Sequence, residues 1–151
     1  MKKKKLLSNK KAYYNYEIFE KFESGIVLFG YEVKSLKKSR VNFVDSFVKL
    51  YNCEAFIENM FIDPYEYMST DIIDYNPKRR RKLLMHKFEI LKIYMKIKKR
   101  GFTAIPLEIY IGSSNKIKIL IGLAKGKNIY DKREIIKKRD IKREISEKYL
   151  L

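Results

Sequence analysis

Apolar and polar residues alternate along several short stretches of this chain, separated by glycines, prolines and clusters of charge. From Tyr16 to Glu23 the apolar Tyr16, Ile18 and Phe22 fall on alternate positions with Glu17, Lys21 and Glu23 between them, the period of a half-buried strand. Ser24-Gly25 is expected to break that strand, and the glycine-bounded apolar run Gly25 to Gly30 to form a second strand paired to the first. Val33 and Leu36 stand at a helical interval, which predicts a short helix over 31–38. Val41 to Asp45 reads as a connection. Ser46 to Leu50 and Ala55 to Phe61 read as a hairpin turning near Asn52-Cys53, a turn without the expected glycine. Pro64 and the acid-rich stretch to Tyr75 make a long loop, closed by Asn76-Pro77. Leu84, Phe88, Leu91 and Met95 then recur at intervals of four, three and four, one apolar face of a helix that runs to about Lys99 and ends at Gly101. Phe102 to Ile111 and Lys116 to Leu123 alternate again around Gly112-Ser113-Ser114-Asn115, a hairpin loop. About six short strands with two or three flanking helices predict a mainly β fold, a small closed antiparallel barrel of the OB kind.

Composition adds a boundary to that pattern. At 151 residues the chain suits one domain, and the expected division is a mobile basic arm over 1–11, the barrel over 12–130 and a basic tail over 131–151. In that tail Lys137, Lys138, Arg139, Lys142, Arg143 and Lys148 are interleaved with a few apolar residues, too few for a second core. Behind Lys2 to Lys5 stand only Leu6 and Leu7, not the apolar region of a secretory signal, and the chain has one cysteine. Both point to the cytoplasm. No apolar run approaches the ~20 residues of a membrane helix.

The net charge of +17 is unevenly placed. Residues 12–75 hold six Lys or Arg against eleven acids, and residues 76–100 hold eleven against one. A local basic face on a less basic body is the electrostatic footprint of a nucleic-acid-binding protein. An anionic membrane would attract the same charge but would call for a broad apolar face beside it.

Few residues offer catalysis. His86 is the only histidine and Cys53 the only cysteine, so a dyad would lack a third, orienting group, and neither a metal set nor a cofactor site is expected. Asp71 and Asp74 have no specific spacing for magnesium. Binding is better supplied. Lys78-Arg79-Arg80-Arg81-Lys82 could neutralise several phosphates, arginine adding bidentate geometry. Lys125-Gly126-Lys127 combines close backbone approach with two cations. Tyr13, Tyr14, Tyr16, Tyr31, Tyr94 and Tyr110 are candidate stacking residues, although aromatics on alternating strands are more often core.

The same residues resemble a known family along nearly the whole chain. The motifs are Asn9-Lys10-Lys11-Ala12, Glu20 to Gly25, Gly30-Tyr31-Glu32-Val33-Lys34-Ser35-Leu36, Val41-Asn42 with Asp45-Ser46, Glu54-Ala55-Phe56, Asn76-Pro77 with Arg79, Arg81-Lys82-Leu83-Leu84, and Leu123-Ala124-Lys125-Gly126-Lys127 with Tyr130-Asp131-Lys132-Arg133. In order and spacing they resemble the SsrA-binding protein family, SmpB. The resemblance implies a non-catalytic OB-like barrel, monomeric and without cofactor or metal. It binds the tRNA-like domain of transfer-messenger RNA and brings it to ribosomes stalled on messages lacking a stop codon. By position in that family, Asn9, Glu23, Leu84 and Lys118 are the expected RNA contacts, with Lys10, Lys34, Arg79, Arg81, Lys82, Lys125, Gly126 and Lys127 as further RNA-binding candidates. A carboxylate such as Glu23 can accept hydrogen bonds from base amino groups while cations supply affinity, or it can simply pair with a lysine.

The family's tail is disordered when free and helical in the empty messenger channel of the small ribosomal subunit. Here Tyr130, Asp131, Lys132 and Arg133 would position the tail near the decoding centre, and Lys137, Arg139 and Ile141 would line the channel. Tyr130 stands where many members have histidine, and Ile135 where an Asp commonly opens the tail motif. The alternative is a general OB-type RNA-binding or ribosome-associated protein.

Overall fold

The computed structural model describes residues 3–67, 74–99 and 101–127. In chain order the elements are β1 (Lys4–Ser8), α1 (Lys10–Asn15), β2 (Tyr16–Ile26), α2 (Gly30–Lys37), β3 (Val41–Asn42), β4 (Phe47–Tyr51), β5 (Glu54–Glu58), β6 (Phe61–Ile62), β7 (Arg81–Leu84), α3 (Lys87–Ile97), β8 (Phe102–Ile111) and β9 (Ile117–Gly126). Seven strands form one antiparallel sheet in the order β1-β8-β9-β2-β7-β5-β4, and β3 pairs separately with β6.

The sheet curls until β4 packs against β8, enclosing Leu36, Ile57, Met60, Ile62, Leu83, Ile93, Ile109, Ile119 and Ile121. This is the mainly β, barrel-like body expected of the pattern. It differs in having no hydrogen-bonded seam between β4 and β8 among the described residues. The reason is geometric. A strand has two hydrogen-bonding edges, and those of β8 are already taken by β9 and β1.

That use of β1 corrects the expected mobile arm. Lys4–Ser8 pairs with β8, Lys4 opposite Ile111 and Ser8 opposite Glu108, and Leu6 enters the core. A run of lysines hides the single buried leucine that anchors the strand.

Two further readings change. β2 does not stop at Ser24-Gly25; it continues to Ile26 because Gly25 pairs on one side with Lys118 and on the other with Leu84. Residues 27–29 therefore form no second strand, and Phe29 instead precedes α2 as its N-cap. In β8 the register slips between Pro106 and Glu108. The bulge accommodates a residue with no N–H to donate. It also reverses the alternation, so Ala104 and Ile109 face the main core while Ile105 and Leu107 pack with Ala12 of α1 in a smaller cluster.

The β4–β5 hairpin turns at Asn52 and Cys53, with φ of 49° and 60°. Both central residues are left-handed, the geometry of a tight two-residue turn that glycine normally eases. α3 is helical as expected but begins only at Lys87, because Leu84 is the last residue of β7 and pairs with Gly25, and it turns its other face inward. Ile90 and Ile93 are buried, whereas Phe88, Leu91 and Met95 are 70%, 57% and 61% exposed. Both stripes have three-four spacing, so periodicity alone does not say which one the core takes.

Candidate nucleic-acid interface

The outer face of the sheet carries one continuous row of side chains across four strands. Leu84 of β7 lies opposite Gly25 of β2, Gly25 opposite Lys118 of β9, and Lys118 opposite Tyr110 of β8. Glu23 stands two residues before Gly25 on the same face. A Cβ placed on Gly25 would come within 3.3 Å of Leu84 Cβ and Cδ1. The missing side chain is thus what lets Leu84 lean across β2, and Leu84 remains 58% exposed. A cleft lined by Gly25, Leu28, Val33, Leu84, Lys116 and Lys118 adjoins the row.

Glu23 is held there by two partners. The Tyr110 hydroxyl donates to Glu23 Oε2, and Lys3 Nζ donates to the same oxygen at 3.1 Å. Lys3 also lies 4.9 Å from the centre of the Tyr110 ring. The Tyr110 hydrogen bond first, then that of Lys3, holds the Glu23 carboxyl below its ordinary value of 4.5. Burial and the Glu23 carboxylate raise Tyr110 in turn, so it stays a protonated donor. The lysine pairing considered from sequence is present, and it leaves Glu23 Oε1 on a partly exposed carboxylate beside Lys118. The Tyr110 hydroxyl is the contact that residue-by-residue reading misses. Counting outward from a four-residue Gly112–Asn115 loop would set Tyr110 opposite Ile117; the observed connection is one residue longer, which brings Tyr110 level with Lys118.

Other predicted residues lie elsewhere. Nine residues separate Tyr16 from Gly25 along β2, about 30 Å of extended chain. At the Tyr16 end, Tyr16 pairs with Gly126, Glu17 with Lys125, and Lys127 N donates to Asn15 O. Lys125 lies over the Phe102 ring. Lys10 opens α1, and Asn9 caps it: Asn9 Oδ1 accepts from Ala12 N at 3.2 Å and Nδ2 donates to Pro106 O at 2.9 Å. Both polar ends of Asn9 are therefore engaged within the chain, tying α1 to the β8 bulge. Lys125, Gly126 and Lys127 form a second group at the far end of β9 from Glu23, Leu84 and Lys118, whereas Asn9 and Lys10 sit on the β1–β8 edge: Ser8, just before Asn9, pairs with Glu108, Glu108 with Leu120 and Leu120 with Glu23.

Four of the five cations in the run meet acceptors within the chain, and one of them is buried. Arg81 is fully buried, and each of its nitrogens has a partner: Nε donates to Glu32 Oε2 at 2.7 Å, Nη1 to Met60 O and Arg79 O, and Nη2 to Tyr75 Oη and Pro77 O. Arg79 binds the same buried Glu32 through Nε and Nη2, with its guanidinium 4.0 Å over the Phe29 ring. Arg80 pairs with Glu58 and Lys82 with Glu54. Arg81 is thus no phosphate ligand, and Arg79, Arg80 and Lys82 each meet a carboxylate first. β7 alternates, so one residue of the run had to point inward, and Glu32 of α2 supplies the charge that makes this tolerable. Lys34 lies on the exposed side of α2, 5.4 Å from the Tyr65 ring, away from both groups. Tyr130, Asp131, Lys132, Arg133, Lys137, Arg139 and Ile141 lie outside the described residues, as does Asp71.

Burial alone would raise the Glu32 carboxyl, but the Arg79 hydrogen bonds, the Phe29 amide and the charge of Arg81 outweigh it and hold it low. Burial, then the charge of Glu32, pushes Tyr75 up to about 12. Among the described residues no three His, Cys, Asp or Glu side chains gather as a metal site, and no helix is long and apolar enough to cross a membrane.

The model of the family described as "SmpB protein" matches residues 6–150. This chain belongs to the SmpB family. It is 53% identical to the SsrA-binding protein of Persephonella marina over 97% of this chain and 94% of that one. It is 46% identical to the SsrA-binding protein of Aquifex aeolicus over 95% and 90%. Among solved structures it is similar to a chain described under "tmRNA-SmpB: a journey to the center of the bacterial ribosome", with TM-score 0.68 and 42% identity over 82% of this chain and 85% of that one. SmpB membership thus extends over the curled sheet, the Glu23–Leu84–Lys118 row and the basic C-terminal segment alike.

Proposed function

We propose that this SmpB chain is an RNA-binding adaptor that takes the tRNA-like domain of transfer-messenger RNA to stalled ribosomes for trans-translation. The observation that carries the reading is the outer row Leu84, Lys118 and Tyr110 with Glu23 beside it. An exposed apolar side chain, a cation and an oriented carboxylate lie together, supplying contact area, phosphate attraction and selective hydrogen-bond acceptance. Chemistry is left to the ribosome and to the RNA's own carrier end; the protein acts in the cytoplasm as a monomer, without cofactor or metal. Asn9 and Lys10, on the β1–β8 edge, are further RNA contacts, and a second group, Lys125, Gly126 and Lys127, stands at the end of β9 from which the chain continues into its tail. There it directs residues 130–151 toward the small-subunit decoding centre and messenger channel.

Competition binding tests this reading. Full-length protein and Glu23→Ala are titrated with transfer-messenger RNA against excess elongator tRNA at near-physiological salt. Selective binding that the variant loses is the expected result. Equal binding of both RNAs, falling together as salt rises, would instead mean that charge alone binds and that the chain is a general RNA-binding protein.

A further inference from the structure

α3 carries an exposed apolar stripe that neither the core nor the proposed RNA row uses. Phe88, Leu91 and Met95 recur at three and four residues, all exposed and all on the side opposite buried Ile90 and Ile93. At 100° per residue, Lys87 and the C-cap Lys98 flank the stripe on one side and Lys92 on the other, where Lys92 Nζ also meets Glu20 Oε1 at 2.6 Å. Beside it, Leu91 and Tyr94 face Leu50, Tyr51 and Cys53 of the β4–β5 hairpin across a mainly apolar groove of about 460 Å³. The only acid on α3 is Glu89, and its carboxylate is turned back to accept from His86 N.

The flanking charge decides what can cover this face. A second copy would bring a like-charged surface to it, and the chain carries +17. RNA would satisfy the lysines but would leave aliphatic Leu91 and Met95 against sugar and phosphate. A stripe of apolar side chains edged by carboxylates satisfies both at once. We propose that the exposed face of α3 is a docking surface for an acidic amphipathic helix of a protein partner. The apolar side chains of that helix would lie along Phe88, Leu91 and Met95 and enter the groove at Tyr94, with its carboxylates on the flanking lysines. This goes beyond the RNA reading and does not depend on it.

The probe is a labelled synthetic helix of about 18 residues, long enough to hold helicity, with leucines at three-four spacing edged by glutamates. It is titrated into the full chain by fluorescence anisotropy. A composition-matched scrambled peptide, a single-stranded RNA and anionic phosphatidylserine vesicles serve as comparison arms. The paired variant Leu91→Glu, Met95→Glu changes only exposed positions, and its fold is checked by circular dichroism and by retained transfer-messenger RNA binding. The expected result is saturable binding that weakens about tenfold or more both in the scrambled peptide and in the variant. Equal binding of the scrambled peptide overturns the proposal, as does no binding at all. RNA or vesicle binding that the paired variant abolishes, with the helix unaffected, overturns it in favour of that partner.

Discussion

Arg81 and Glu32, 49 residues apart in the chain, form a fully buried ion pair in which the guanidinium has a partner for every nitrogen. β7 is thereby fastened to α2, and the neighbouring Arg79 and Tyr75 close the same carboxylate from the other side.

Removing one partner leaves an uncompensated buried charge, which costs about 3–5 kcal/mol. Arg81→Ala should therefore lower the urea midpoint steeply, whereas Lys78→Ala in the same run should leave it nearly unchanged. If Arg81→Ala instead weakened only RNA binding and left stability intact, the buried assignment would be wrong. The pair also predicts a pH dependence. The folded-state pKa of Glu32 is depressed below 4.5, so its contribution is fully present above that value and is lost as pH falls through the lower, folded one. Wild type should lose more stability than Glu32→Gln between about pH 5 and pH 2, as read from denaturant midpoints.

Tyr110→Phe removes the strongest hydrogen bond to Glu23 while keeping the ring under Lys3. The Glu23 titration midpoint, followed by NMR of the side-chain carboxyl, should move up toward the ordinary carboxylate range. Preference for transfer-messenger RNA over elongator tRNA should fall about tenfold or more, the scale of one hydrogen bond to a charged group. A shifted midpoint with unchanged preference would place Glu23 outside the RNA contact.

Cys53 occupies a left-handed turn position at φ 60°, where a side chain costs about 1–2 kcal/mol relative to glycine. Cys53→Gly should raise stability by about 1 kcal/mol after the extra flexibility of unfolded glycine is subtracted. A urea titration showing a loss instead would mean that the Cys53 side chain contributes packing across the α3 groove.

Truncation after Lys132 should leave transfer-messenger RNA affinity nearly intact and abolish rescue of stalled ribosomes in a reconstituted translation assay. Equal loss of both would sink the division of labour between body and tail.

The α2 helix and the β4–β5 and β8–β9 hairpins were legible because each rests on local period and turn residues. Glu23, Leu84 and Lys118 were singled out only through the family resemblance, and the structure brings those three together on one face. β1 was not, because its pairing depends on the distant β8 edge and its lysines mask Leu6. Nor was the separation of Lys125 to Lys127 from Glu23, since motif order along the chain carries no distance between the ends of a folded strand.

By itself, then, the chain determined that alternating segments would form a small antiparallel β body with a few helices, that the body would be basic on limited faces, and to which family it belongs. Those properties are written in periods of two and of three-four, in turn residues and in charge counts, all local along the sequence. Only the tertiary structure decided which of two equally spaced stripes on α3 met the core, and which of five consecutive cations turned inward. The physical reason is shared: a helix face or a charge acquires its role from what is packed against it, and for Arg81 that is Glu32, brought there by the curl of the sheet.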